Sequence, residues 1–486
     1  MTERDLIDKV PTGITGFDPV ALGGLPAGRS TLVVGSTGSG KTVFAVEYLA
    51  RGISRFQQPG VFVTFEERPS AVRRNAESLG FPIAQWENAH TWAFVDVSER
   101  AEDEAVTVGV YNFAALVARI ESAVRRIGAT RVVLDSIGAV FARYPDIGTI
   151  RTELVRLSAA LDRMGVTTVI TSERRENQDG LSKLGVEEFV LDNVVVLRNV
   201  LHQERRRRTV EVVKFRGAPH RCGEWLFTIA EEEGMVVIPL AFLEHRERAS
   251  GLRVSSGNEG LDAMCGGGFY RDSIILVTGP TGAGKTLLSL GFADAAFRAG
   301  QRCLFYSFDE TRQQLARSAK GWGFDLDVME DAGLLRVEAE YAEVASLEDH
   351  FLKMRRAIAE WKPQRMVVDT VSALERMGPT RSLLDFMIAL GTLLRQHEIT
   401  SLLTSIPTRG GEVRTPQVAL ELTGLTDVTI MLRDLEGPGE IRRAVSVLQM
   451  RGSAHDSAIR RVRIDERGMH IGEPLPELSR IFVPGT

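Results

Sequence analysis

The 486-residue chain reads as an α/β protein built twice over: two tandem domains, each a mostly parallel sheet flanked by helices and finished by a C-terminal β-hairpin. Three features support this. A glycine-rich stretch occurs twice, as VVGSTGSGKT (Val33–Thr42) and VTGPTGAGKT (Val277–Thr286), 244 residues apart. Its surroundings recur at the same offset: Thr12–Asp18 (TGITGFD) faces Ser256–Asp262 (SGNEGLD), and Gly23-Gly24 faces Gly267-Gly268. Short apolar runs alternate with helical spacing in each copy, the grammar of a parallel sheet with crossover helices.

Later landmarks keep their order. Leu134-Asp135-Ser136 faces Val368-Asp369-Thr370, and Lys214–Gly217 (KFRG) faces Gln449–Gly452 (QMRG), at offsets of 234 and 235. Self-similarity at this period marks two copies of a whole domain, since solenoid units are far shorter. The expected boundaries are a first domain over 1–243, a polar linker over 244–256 and a second domain over 257–486.

Composition bounds the function. The chain is 44% apolar and 25% charged, with a formal net charge of −5, so its bulk field does not favour nucleic acid or an acidic membrane. Cys222, Cys265 and Cys303 have no CxxC spacing, which argues against a zinc site or a disulfide framework. The start MTERDLIDKV lacks the features of a secretory signal and no apolar run reaches membrane-span length, so a soluble cytoplasmic protein is expected.

In each copy an apolar strand (Thr31–Val34 in the first) enters the glycine-rich stretch and a helix leaves it. That context makes a phosphate-binding loop, in which backbone N–H groups and the helix N-terminus converge on phosphate oxygens. The loop residues expected to bind nucleotide are Thr37, Gly38, Ser39, Gly40, Lys41 and Thr42, and Thr281, Gly282, Ala283, Gly284, Lys285 and Thr286. Lys41 and Lys285 would reach the outer phosphates, and Thr42 and Thr286 would offer hydroxyls to Mg²⁺.

A second strand ends in Glu66-Glu67, and its twin in Asp309-Glu310. Carboxylates at the carboxyl edge of a parallel sheet could deprotonate or orient a nucleophile. The other reading is an N-cap for the next helix; recurrence in both copies favours catalysis. A third strand closes with Asp135 in one copy and Asp369 in the other, expected to hold Mg²⁺ beside the phosphates. A fourth follows at Val166–Thr171 and Ile399–Ile406. The closing hairpins turn near His202-Gln203-Glu204 and Glu436–Gly439. The Arg205–Arg208 run reads as a solvated hairpin rather than a nucleic-acid patch.

The chain resembles the KaiC family, tandem RecA-like ATPases, over nearly its whole length. The stretches that carry the resemblance are GVFVTFEE (60–67), GVEEFVLDNVVVLRNVL (185–201), ERRRRT (204–209), KFRGAPH (214–220), RVSSG (253–257), CGGGFYRDSIILVTGPTGAGKT (265–286) and MRGSAHDSAIR (450–460). The resemblance implies two RecA-like P-loop domains, six-subunit rings and ATP between neighbours. It implies that Lys214, Arg216 and Arg451 reach a neighbour's nucleotide, the arginines as fingers. It also implies that Ser78, Phe215 and His220 touch the first nucleotide, and Trp322, Met450 and His455 the second. Glu67 would position water for hydrolysis in the first ring, and the second ring would phosphorylate its own Ser and Thr.

Three residues depart from the family pattern. The paired phosphosite falls on Thr423-Gly424, leaving one hydroxyl, so Thr423 is the expected single acceptor. Asp309 is one methylene shorter than the usual Glu, and Gln449 stands where Lys is expected. The chain stops at RIFVPGT, short of the tail that docks KaiA in the family, so KaiA-type docking is not expected; the resemblance implies a KaiB-like or other signalling protein as partner. The sequence therefore predicts a hexameric Mg²⁺-dependent ATPase with a weak or single-site autokinase in its second domain. The alternatives are a DNA-dependent ATPase of the RecA, RadA or DnaB kind, and a nucleotide-bound scaffold with negligible turnover.

Overall fold

The computed structural model describes residues 7–98, 113–141, 146–174, 187–202, 205–230, 233–238, 250–378, 380–406, 424–437 and 440–475. The chain divides into two compact units, 1–239 and 240–486. Each is an α/β domain with a nine-stranded sheet. Residues 239–249, which include part of the expected linker, lie outside the described residues.

In the first unit the strands are β1 (Ser30–Gly35), β2 (Gly60–Thr64), β3 (Trp92–Asp96), β4 (Arg131–Asp135), β5 (Thr167–Glu173), β6 (Asn193–His202), β7 (Arg205–Phe215), β8 (Glu224–Ala230) and β9 (Gly234–Val237). Their order across the sheet is β9-β8-β7-β6-β1-β5-β4-β2-β3. The half from β6 to β3 is parallel, and β6 to β9 run antiparallel. Val33 packs into the apolar cluster on one face of β1, and Leu32 and Val34 into the cluster on the other. That two-faced burial explains why β1 reads as a continuous apolar run instead of an alternation.

Helix α1 (Lys41–Phe56) follows β1 directly. It starts after Gly40, whose φ of 93° lies in the left-handed region that glycine enters without steric cost. Phe44, Ala45, Tyr48 and Leu49 form its core-facing stripe. Three more helices are α2 (Pro69–Glu77), α3 (Phe113–Ile127) and α4 (Ile147–Arg163).

The second unit repeats the plan with β10 (Ile274–Thr278), α5 (Lys285–Arg298), β11 (Cys303–Ser307), α6 (Arg312–Gly321), β12 (Leu335–Ala339), α7 (Leu347–Trp361), β13 (Arg365–Asp369), α8 (Thr380–Gln396), β14 (Thr400–Ser405), β15 (Val428–Gly437), β16 (Glu440–Met450), β17 (Arg460–Asp465) and β18 (Gly468–Pro474). The order is β12-β11-β13-β14-β10-β15-β16-β17-β18.

Two features go beyond the sequence expectation. The closing hairpin is not the end of either sheet: β8–β9 and β17–β18 extend it by a second antiparallel pair. The strands β3 and β12 add a parallel edge beyond β2 and β11.

An arginine is buried at the start of β4 and another at the start of β13. Arg131 donates to Tyr48 O, Pro11 O and Gln58 Oε1 at 2.7–2.8 Å. Arg365 donates to Ser255 O and Gln301 Oε1 at 2.7 and 2.8 Å. Their guanidinium groups lie over the Tyr48 and Phe292 rings at 4.6 and 4.8 Å. Each buried charge is therefore hydrogen-bonded, as burial demands.

Candidate active site

Both glycine-rich loops sit where β1 and β10 hand the chain to α1 and α5, at the carboxyl edge of the parallel strands. No side chain caps either helix. Their first N–H groups, with the helix dipole behind them, are thus available to an anion. Thr37, Gly38, Thr281 and Gly282 are exposed, whereas Ser39 and Ala283 are buried and pin the loops. Gly40 and Gly284 lie between them and the helices, both with φ near +100°.

Lys41 Nζ donates to Gly35 O and Ser36 O at 2.9 and 3.0 Å, and Lys285 Nζ to Gly279 O and Pro280 O at 2.8 and 2.9 Å. Burial lowers both lysine pKa values. The carboxylates Glu173, Asp135 and Glu66 oppose this for Lys41, and Asp369, Asp309 and Asp434 for Lys285. Each ammonium therefore faces a ring of acids at the mouth of its loop.

Thr42 Oγ1 donates to Asp135 Oδ2 at 2.9 Å, and Thr171 Oγ1 donates to Asp135 Oδ1. In the second domain Asp369 accepts from Thr404 and from Thr286. Burial raises the pKa of both aspartates, and these hydroxyls and the neighbouring lysines pull it back down. The hydroxyl, the carboxylate and the loop lysine meet in both domains, and this donor set suits Mg²⁺ bound to nucleotide phosphates.

The acid pairs stand beside these aspartates. Thr64 Oγ1 bonds Glu67 O, and Ser307 Oγ bonds Glu310 O at 2.9 Å, so the two turns are built alike. Burial and the charge of Asp135 raise the Glu67 pKa; burial, Asp369 and Asp309 raise that of Glu310. Glu66, Glu67 and Asp309 are exposed, and Glu310 is half-buried. Asp309 Oδ1 lies 3.5 Å from Arg376 Nη2. None of the four acids caps a helix: α2 starts after Arg68 without a side-chain cap, and α6 is capped by Thr311 in a box with Gln314.

The remaining predicted contacts lie elsewhere. In the register of the sheet Thr31 pairs with Asn193, and Asn193 with Phe215; Gly35, where the loop begins, pairs with Leu197. Lys214, Phe215 and Arg216 thus sit about four residues, roughly 13 Å, from their own loop at the opposite edge of the sheet. Met450 pairs with Val428, which pairs with Ile275, so Met450 and Arg451 are placed likewise.

At that edge Lys214 Nζ donates to Leu191 O (2.8 Å), Arg216 Nη1 to Asp192 Oδ1 (3.2 Å) and Arg451 Nη2 to Gly424 O (2.7 Å). His220 packs edge-on to Phe215 at 5.4 Å, and burial together with Lys9 lowers its pKa. His455 is half-buried a few residues beyond Arg451. Ser78 is exposed at the end of α2, and Trp322, at the end of α6, packs partly buried on the core. Thr423 lies outside the described residues.

Sequence reasoning missed four neighbours of the loops. Thr171 and Thr404 bond the aspartates from one strand away, and their equivalent places in the repeats were the available signal. Asn199 Nδ2 and Arg208 Nε both reach Gly38 O, at 3.3 and 3.4 Å. The Arg205–Arg208 run is therefore more than a solvated hairpin, because Arg208 folds onto the phosphate loop.

A family model described as "ATPase: KaiC" matches residues 10–241 and again 254–475. The chain is 48% identical over 482 residues to the circadian clock protein KaiC3 of Synechocystis sp., covering 99% of this chain and 95% of that protein. It is 43% identical over 483 residues to the circadian clock oscillator protein KaiC of Synechococcus elongatus, covering 99% and 92%. The KaiC of Parathermosynechococcus lividus is also 43% identical, over 99% of this chain and 88% of that protein.

Proposed function

The chain belongs to the KaiC family of ATPases, and from that premise we propose that it is a hexameric, Mg²⁺-dependent ATP hydrolase with a slow, single-site autokinase in its second domain. The observation that carries this reading is the sheet register. The loops, with Lys41 or Lys285, Thr42 or Thr286 and Asp135 or Asp369, lie at one edge. Lys214, Arg216 and Arg451 lie at the other, too far to serve their own loop. A ring in which each subunit lends this basic edge to its neighbour's loop gives both groups a use.

In this reading Thr42 and Asp135, and Thr286 and Asp369, hold Mg²⁺, which neutralises charge on the phosphates when bound. Lys41 and Lys285 leave their loop carbonyls for phosphate oxygens. Glu67, with Glu66 beside it, orients the attacking water in the first domain. Ser78, Phe215 and His220 complete the first site; Trp322, Met450 and His455 complete the second. Arg216 and Arg451 stabilise charge on the transferring phosphoryl group across the interface.

In the second domain Asp309 and Glu310 act on the Thr423 hydroxyl. Asp309 is shorter than a glutamate and is shared with Arg376. Gln449 brings no cation to the phosphate. Transfer there is accordingly slow. The partners that read the state of the ring are proteins, of KaiB-like or other signalling type.

Analytical ultracentrifugation with and without Mg·ATP, run beside phosphate release, tests the proposal. A hexamer that forms with Mg·ATP and releases phosphate supports it. A monomer at saturating Mg·ATP removes the shared site and the arginine fingers together.

A further inference from the structure

Glu47, on α1, is fully buried, a rare place for a carboxylate. Its Oε2 accepts the N–H of Met235 at 2.7 Å, and its Oε1 accepts from Arg51 Nε at 3.2 Å. Arg51 also donates to Glu233 O at 2.8 Å. Gly234, at φ +72°, leaves room for this: a Cβ there would collide with the Glu47 carboxylate. One carboxylate thus fastens the β8–β9 turn to the helix that carries the phosphate loop.

The Met235 side chain points the fastening back at the loop. A Cβ on Gly40 would lie 3.4 Å from Met235 Cε and 3.0 Å from Ile229 Cδ1. Gly40 directly precedes Lys41. Close packing of this kind transmits displacement instead of absorbing it.

The second domain builds the same backstop with different chemistry. A Cβ on Gly284 would lie 2.6 Å from Met469 Cε and 2.9 Å from Ile464 Cδ1. The position of Glu47 in the repeat is Gly291. Met469 is held instead by Asn258, whose Nδ2 donates to Met469 O at 2.6 Å. An amide does not titrate, whereas a carboxylate does.

We propose that Glu47 is a positioning residue for the first phosphate loop, acting through Met235 on Gly40, and that it makes the first site pH-sensitive. This rests on the reading of the loops as nucleotide sites. Burial pushes the Glu47 carboxyl up to about 7. The Met235 N–H, Arg51 and Arg55 oppose this, and burial outweighs them; a turn lifted off α1 would let water reach the carboxyl and bring it down toward its ordinary value. Docking therefore favours the protonated acid, and raising the pH through about 7 loosens the turn. The charged groups facing Glu47 are Arg51 and Arg55 from its own helix; from the turn, the Met235 N–H meets it.

The test uses the full chain with Lys285→Ala, so that the first loop alone is read. Mg·ATP affinity by equilibrium dialysis and phosphate release are followed from about pH 6 to about pH 8.5. Affinity is expected to fall at least about threefold across that span. Glu47→Gln, neutral throughout, should hold the acid-side value at every pH. Met235→Ala keeps the backbone bond to Glu47 but loses the contact with Gly40, and it should also flatten the profile. The Lys41→Ala chain, reading the second loop, controls for titration of the nucleotide, and adding Glu47→Gln should leave its profile unchanged.

Binding by the Lys285→Ala chain that shows no fall, or a fall that survives both Glu47→Gln and Met235→Ala, overturns the proposal alone. Failure of the Lys285→Ala chain to bind Mg·ATP at any pH overturns the nucleotide reading of the first loop, and the proposal with it.

Discussion

Thr42 Oγ1 meets Asp135 Oδ2 at 2.9 Å, joining the first turn of α1 to the last residue of β4 across 93 positions of sequence. Thr171 holds the other carboxylate oxygen. The two hydroxyls thereby hold the aspartate beside the loop, and fixed groups of this kind are what electrostatic catalysis needs. Asp135→Asn keeps the shape and removes the charge. It should leave thermal melting within a few degrees and slow phosphate release by at least about tenfold, equivalent to ~1.4 kcal/mol on the barrier.

Arg216 bonds Asp192 at the far edge of its own sheet. If its use is in trans, Arg216→Ala should cut hydrolysis by about a hundredfold or more, in the range of arginine fingers. A mixture of Arg216→Ala and Lys41→Ala chains should recover part of the activity, because some interfaces then pair an intact loop with an intact arginine. Mixing that restores nothing would place Arg216 outside the neighbour's site.

Thr423 is the expected acceptor in the second domain. Asp309→Glu with Gln449→Lys lengthens the acid and supplies a cation, and should raise phosphothreonine yield after incubation with Mg·ATP by about tenfold. Peptide mass spectrometry locates the phosphate. Phosphate on other residues and none on Thr423, in both proteins, would show the assigned site to be wrong.

Glu47 also sets a direction for stability. Its pKa in the folded chain is raised, to about 7, so the stability it contributes is full below about pH 4.5 and is lost as pH rises through about 7. The loss is up to about 3 kcal/mol, at ~1.4 kcal/mol per unit of pKa. Melting of the Glu47→Gln chain should therefore fall less between about pH 5 and about pH 8 than that of the parent. An equal fall in both would show that Glu47 does not titrate in this window.

The duplicated landmarks made the loops, Asp135, Asp369 and the acid pairs legible, because each motif came with its strand and its helix twice. The carboxylates could be read as helix caps until the structure put Arg68 and Thr311 at those positions. The edge location of Lys214 to Arg216 depends on pairing register, which a linear pattern does not carry. The contacts of Glu47 with Met235 and of Arg131 with Pro11 join residues 188 and 120 apart, and no local periodicity signals them. The strands β8 and β9 escape the sequence reading because EWLFTIA lacks clean alternation: its three central residues are all buried and three of the outer ones are half-buried.

We infer that both loops bind ATP and that the first does most of the hydrolysis, since its residue set is complete while the second has Asp309 and Gln449. Steady-state phosphate release from the parent, Lys41→Ala and Lys285→Ala chains tests it most directly. Lys41→Ala should lose most of the activity and Lys285→Ala should keep most of it. Release that is abolished by Lys285→Ala and untouched by Lys41→Ala would contradict it.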